Sequence, residues 1–212
     1  MIFQDRAAAG RTLADRLAAL PDIGAGGRPL VLALPRGGVP VAAPVAGRLG
    51  AELDVVVVRK IGAPGRPEYG IGAIAEDGPP YFDHPALAAL GLTERDLART
   101  VERERAELDR RIRRYRGERP APRAAGRTVI VVDDGLATGV TARAAVRWLR
   151  DQGPEQLILA VPVCAREARD ALARSADLVV CVHAPGRFRA VGEWYLDFAQ
   201  TSDAEVDQLL AH

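Results

Sequence analysis

Five short, continuously apolar runs constrain this chain more than any other feature: residues 29–34 (PLVLAL), 53–58 (LDVVVV), 128–132 (TVIVV), 157–163 (LILAVPV) and 177–183 (DLVVCVH). A strand with one wet face alternates polar and apolar side chains. These runs do not alternate, so each must be covered on both faces. Helical stretches lie between them. Leu13, Leu17 and Leu20, at i, i+4 and i+7, place an amphipathic helix over residues 7–20, and an Ala/Val-rich helix follows the PRGG turn and runs to Leu49. This order predicts an α/β fold, a doubly wound parallel sheet with helices on both faces. At 212 residues the chain fits one domain, 1–212, with room for a sizeable insertion.

Two segments interrupt the alternation. Residues 59–78 (RKIGAPGRPEYGIGAIAEDG) are rich in Gly and Pro and long for a connection, which predicts a flexible functional loop with a short strand near 71–75. Residues 83–119 are a helical insertion whose centre, 92–116, is dominated by charge. Leu97, Val101, Leu108 and Ile112 share one helical stripe, and Thr93 with Asp96 makes a capping-box pattern with Asp in place of Glu. A solvated helix packed along one edge is the expectation, although its last turns, RRIRRYRGER, could instead touch RNA or a partner subunit. Residues 120–127 (PAPRAAGR) read as a linker back to the sheet.

Composition narrows the partners. Twenty-nine basic against 28 acidic residues leave a formal net charge of +1, so no global field draws the chain to nucleic acid or to an anionic membrane, and any phosphate site must be local. No run of about 18 apolar residues occurs and the charged N-terminus lacks the apolar stretch of a signal peptide, which predicts a soluble, cytoplasmic protein. Cys164 and Cys181 lie in apolar strand-like runs without Cys or His at metal-ligand spacing and read as buried free thiols. Every basic residue but one is arginine; the exception is Lys60.

The chemistry concentrates in residues 128–150, TVIVVDDGLATGVTARAAVRWLR. Ala137, Thr138, Gly139, Val140 and Thr141 fall between a strand and a helix, where backbone N–H groups are free and point at an anion. The hydroxyls of Thr138 and Thr141 add donors, and Gly139 lets a phosphate approach the backbone. With neither GK[ST] nor GxGxxG, the loop suits a terminal monophosphate rather than a triphosphate or dinucleotide. Asp133 and Asp134 would repel that phosphate if they faced it, whereas the hydroxyls of a sugar need acceptors. Strand, acid pair, loop and helix together describe a site for a ribose 5-phosphate.

VIVVDDGLATGVT resembles the phosphoribosylpyrophosphate (PRPP) binding signature of the type I phosphoribosyltransferases, with Gly135 standing where an aliphatic residue is usual. Residues 34–42 (LPRGGVPVA) resemble that family's pyrophosphate loop, which implies that backbone amides at Arg36, Gly37 and Gly38 hold the diphosphate, often through a non-proline cis peptide; alone, RGG after a strand is a routine tight turn. The segment from Arg59 and Lys60 is similar to the stretch after the second core strand in orotate and adenine enzymes, where an Arg-Lys pair approaches the pyrophosphate beneath a closing loop. Glu68, Tyr69 and Gly70 echo the adenine-type loop, and the resemblance makes Glu68 a candidate for proton transfer with the acceptor. Residues 182–198 are similar to the hood of hypoxanthine-type enzymes, so a hood over 182–212 is implied, with Phe188 stacking on the acceptor and Asp197 near the diphosphate and its metal. Trp194 and Tyr195 either line the acceptor pocket or pack the hood. The charged helix lies outside these matching segments.

The resemblance implies transfer of a 5-phosphoribosyl group from PRPP to a nitrogen acceptor with Mg²⁺ as cofactor, catalysed through Lys60, Glu68, Asp133 and Asp134, in a homodimer. Hypoxanthine-type enzymes carry an acid where this chain has Ala137, which leaves the acceptor open. The alternative is a PRPP-sensing regulator that binds RNA, with RRIRRYR as its only basic candidate.

Overall fold

The computed structural model describes residues 1–21, 23 and 27–211, the side chain of Glu68 excepted. Five parallel strands form the central sheet in the order β2-β1-β6-β7-β8: β1 (Leu30–Ala33), β2 (Glu52–Val55), β6 (Thr128–Val132), β7 (Gln156–Val163) and β8 (Leu178–His183). Alternate residues of these strands feed two separate cores. Val31, Ala33, Ile130, Val132, Ile158 and Ala160 face one side, where they meet Leu13 and Leu17 of α1 (Arg6–Ala18) and Val41 and Val45 of α2 (Gly38–Leu49). Leu30, Leu32, Val129, Val131, Leu157 and Leu159 face the other, against Ala145, Val146 and Leu149 of α5 (Val140–Arg150) and Ala168 and Leu172 of α6 (Arg166–Leu172). Apolar residues on both faces are thus the direct cause of the doubly wound architecture.

The second apolar run, 53–58, does not stay in one sheet. β2 ends at Val55, and Val58 opens β3 (Val58–Ala63) of a three-stranded antiparallel sheet with β4 (Arg66–Ala75) and β5 (Tyr81–Phe82). The segment expected to be a loop with a short strand is therefore a hairpin, turned at Pro64 and Gly65 and paired along most of its length. Ile61, Ile71 and Ile74 are fully buried and hold it to the domain.

The insertion contains α3 (His84–Ala89), a 3-10 turn (Glu94–Leu97) and α4 (Ala98–Arg116). Asp96 accepts from the Thr93 N–H at 2.8 Å and the Thr93 hydroxyl at 2.7 Å, closing the start of the helical segment as the pattern predicts. Leu97 and Leu108 are fully buried, with Val101 and Ile112 packed beside them. At the C-terminal end of α4 Arg113 and Arg114 are exposed, but Arg116 is buried and forks onto Glu76 at 2.8 and 2.9 Å while donating to the Val55 carbonyl at 2.8 Å. After β8 a 3-10 turn (Val191–Trp194) leads to α7 (Asp203–Leu210). Cys164 is buried and Cys181 half-buried; both are free thiols. Among the described residues no helix is long and apolar enough to cross a membrane.

Candidate active site

β6 delivers Asp133 and Asp134 at its carboxyl end, and the loop that follows is pinned to β7 by Leu136, whose N–H donates to the Val163 carbonyl at 3.0 Å and whose carbonyl accepts from the Ala165 N–H at 2.8 Å. Gly139 then takes φ 71° as the residue preceding α5, a left-handed conformation that suits glycine. Among the described residues no acceptor meets the N–H groups of Ala137, Thr138, Gly139, Val140 or Thr141. Five consecutive donors, with the positive end of a helix behind them, leave a socket that only an anion or water can satisfy.

That socket and the acid pair line one cavity of about 210 Å³, closed by Lys60 from β3 and Val191 from the hood. Val191 explains the departure at Gly135: a Cβ there would stand 2.6 Å from Val191 Cγ1 and 3.0 Å from Val163 Cγ1. The hood fills the space that an aliphatic residue would take.

Burial raises the Asp133 carboxyl well above its ordinary range, and the neighbouring Asp134 charge adds to the rise against the pull of Lys60. Asp134 rises as well, again through burial, but Arg6 opposes it. Arg6, from the first turn of α1, donates Nε to Asp134 Oδ2 at 2.8 Å and a terminal nitrogen to the Ala199 carbonyl at 2.7 Å, with its guanidinium 3.9 Å above the Phe198 ring. No local pattern marked Arg6 as a site residue.

Residues 35–38 lie directly beneath this pair. The Pro35–Arg36 peptide is cis, as the resemblance implies. A Cβ on Gly37 would collide with the Asp134 carboxylate, so glycine is what lets the loop and the acid pair come together. The Arg36 and Gly37 amides have no partner among the described residues, whereas the Gly38 N–H donates to the Leu34 carbonyl at 3.0 Å and is not available to a diphosphate. The Arg36 side chain turns toward Asp203 of α7, 3.7 Å away.

Lys60 is exposed and lines both the 210 Å³ cavity and an adjoining one of about 610 Å³. Arg59, expected to share its role, is instead held by Glu104 of α4 at 2.7 and 3.0 Å. Glu68 lies on β4, and its side chain falls outside the described residues. In the hood, Phe188 stacks on Trp194 with ring centroids 6.4 Å apart. Tyr195 does not line the acceptor pocket: it is buried against Phe3 and Phe198, and its hydroxyl donates to the Asp134 carbonyl, bracing the acid pair from behind. Asp197 also sits apart from the acid pair, accepting from the Ala199 N–H at 3.0 Å beside a different cavity that Arg6 and Glu205 line.

Comparison with known proteins identifies the family. The phosphoribosyl transferase domain family matches residues 4–191. The chain belongs to this family. It is 45% identical to TT1426 from Thermus thermophilus, whose crystal structure superposes with a TM-score of 0.83 over 99% of this chain and 98% of that one. It is 44% identical over 205 residues to Rv0571c of Mycobacterium tuberculosis, provisionally named a phosphoribosyl transferase; the match covers 97% of this chain and 45% of the relative, so the chain spans about half the length of that protein. The structure of AQ2163 from Aquifex aeolicus shares the fold at a TM-score of 0.54 and 12% identity, covering 88% of this chain and 78% of that one.

Proposed function

We propose that this phosphoribosyl transferase domain moves the 5-phosphoribosyl group of PRPP onto a nitrogen acceptor, a nucleobase or related heterocycle, and releases pyrophosphate. The observation that carries the reading is one cavity of about 210 Å³ lined by Asp133, Asp134, Lys60 and residues 137–141, whose five amides have no partner among the described residues. The 5-phosphate takes the amides and hydroxyls of residues 137–141, and the ribose hydroxyls donate to Asp133 and Asp134. The C1–O bond to the diphosphate breaks with its electron pair leaving on oxygen, and the acceptor nitrogen supplies the pair that makes the new bond to C1. Fixed negative charge under the ring favours the positive charge that develops there, while Lys60 and the free Arg36 and Gly37 amides meet the charge that leaves. Closing the β3–β4 hairpin over the cavity would exclude water, which otherwise consumes the donor. Glu68, on that hairpin, is the candidate for accepting the proton from the acceptor.

Mg²⁺ fits this donor set. Among the described residues no group of three His, Cys, Asp or Glu side chains gathers as a protein cage, so Asp133 and Asp134 would hold the ion together with oxygens of the ligand, the usual habit of this cation. When bound it neutralises charge on the departing diphosphate.

The RNA-binding alternative loses its footing on α4. Arg110 and Arg111 share the one carboxylate of Glu107, Arg114 donates to Asp207 and Arg116 to Glu76, so four of the five arginines of the run are engaged within the chain. Incubation with Mg²⁺, PRPP and a panel of nitrogen heterocycles, following pyrophosphate, tests the reading. Release that depends on one acceptor and disappears in Asp134→Asn supports it; donor binding without release for any acceptor contradicts it.

A further inference from the structure

The 610 Å³ cavity beside the sugar-phosphate pocket has a wall that none of the signature segments supplies. Pro35 and Val58 form its inner side and the β3–β4 hairpin one flank, while α4 of the insertion closes it with Thr100, Arg103, Glu104 and Arg111. Lys60 and Thr141 line both cavities, so the two are continuous. The charged side chains lining it are Arg59, Lys60, Arg103 and Arg111 against Glu104 alone. In a chain whose net charge is +1, that is a strong local excess of positive charge.

The pairing of these groups leaves donors to spare. Glu104 takes both forks of Arg59 at 2.7 and 3.0 Å and a longer contact from Arg103 at 3.4 Å. Arg111 spends only its Nε, on Glu107 at 2.9 Å; Glu107 also takes Arg110 and does not line the cavity. The terminal nitrogens of Arg111 have no protein partner among the described residues, and no carboxylate lies within 4.0 Å of the Lys60 ammonium there. Planar guanidinium forks suit phosphate oxygens, which they bind two at a time.

We propose that α4 completes a diphosphate subsite in which Arg111 and Arg103, with Lys60, hold the outer phosphate of the departing group. The proposal rests on the reading of the neighbouring pocket as the sugar-phosphate site and assigns the insertion a role in it. Pro35, which opens the loop beside the acid pair, and Lys60 both line the larger cavity, so a group leaving C1 at the acid pair has that cavity beside it. The incoming anion competes with Glu104 for Arg59 and Arg103, so occupancy of the subsite loosens the contact between hairpin and insertion.

Calorimetric titration of the full chain with inorganic pyrophosphate and Mg²⁺, and separately with ribose 5-phosphate, tests this. Arg111→Ala and Arg103→Ala should each weaken pyrophosphate about tenfold, the scale of one charge-assisted contact, and leave ribose 5-phosphate within about twofold. Glu104→Gln, which frees two guanidinium groups, should tighten pyrophosphate severalfold, and Arg111→Lys should restore only part of what Arg111→Ala loses. Wild-type pyrophosphate affinity in the Arg103→Ala, Arg111→Ala double variant would overturn the proposal, as would equal loss of both ligands. If the wild type binds ribose 5-phosphate but not pyrophosphate, the subsite fails and the sugar site stands; if it binds pyrophosphate through Arg111 but not ribose 5-phosphate, the donor reading fails and the subsite stands.

Discussion

Arg6 and Asp134 are 128 residues apart in sequence, yet Arg6 Nε lies 2.8 Å from Asp134 Oδ2, with 12% and 15% of their side chains exposed. This contact ties the first helix to the acid pair and pulls against the rise that burial imposes on the Asp134 carboxyl. Removing Arg6 would leave Asp134 half-buried without its cation. Arg6→Ala should destabilise the fold by about 1–2 kcal/mol, below the cost for fully buried pairs because both groups retain some water. Ribose 5-phosphate affinity should fall about tenfold at neutral pH and recover in part as pH rises, because an Asp134 whose pKa has risen further ionises only at higher pH. Urea unfolding and calorimetry check the two effects separately.

Gly37 sits against the same contact. In Gly37→Ala the new methyl would strike the Asp134 carboxylate, with Arg6 Nε 3.3 Å away, so the acid must turn or the loop must lift. A loss of about 1–3 kcal/mol in stability is the expected scale for such overpacking. Ribose 5-phosphate affinity should drop with it, whereas Gly47→Ala, on an exposed turn of α2 where the Cβ meets open space, should leave that affinity unchanged and raise stability by about 0.5–1 kcal/mol.

Burial sets the pH dependence of the acid pair. The Asp133 carboxyl titrates above its unfolded value of 3.8. Between the two pKa values the folded chain binds more protons than the unfolded one, so this group's contribution to stability is present in acid and is lost as pH rises through the folded value. Asp133→Asn removes that loss. Unfolding free energies measured from pH 4 to pH 8 should therefore fall less steeply in Asp133→Asn than in the wild type, and the variant should be the more stable at the alkaline end while losing sugar-phosphate affinity.

Arg116 is a structural cation. It is 5% exposed and bridges Glu76, Asp54 and the Val55 carbonyl, fastening α4 to the end of β2 and to the turn after β4. Arg116→Ala would strand Glu76 without its partner and should cost about 3–5 kcal/mol by urea unfolding. Arg116→Ala with Glu76→Gln should recover part of that loss.

The main sheet was legible because its strands are covered on both faces and their runs are apolar almost throughout, Asp54 being the interior exception; β6 spans the residues the pattern assigned and the other four depart by a few residues at most. The phosphate loop was legible for a similar reason, since donors, glycine and acids lie within nine consecutive positions. Where the 53–58 run changes sheet was not legible: Val55, Val56 and Val57 are equally apolar, and the bend is set by distant partners, the Ala33 carbonyl accepting from Val56 and the Glu76 carboxylate from Val57. Gly and Pro in 59–78 suggested a loop, but tertiary burial of Ile61, Ile71 and Ile74 made a hairpin of it. Arg6, Val191 and Glu104 escaped because each reaches the site from a separate element, and spacing along a chain carries no record of such meetings.

The central claim is that a ribose 5-phosphate spans the residues 137–141 amides and the Asp133–Asp134 pair. A crystal structure with ribose 5-phosphate tests it most directly. Phosphate oxygens are expected within about 3 Å of the Thr138, Gly139 and Val140 amides, with ribose hydroxyls on the two carboxylates. A ligand bound elsewhere, or a pocket left to water at saturating concentration, would contradict it.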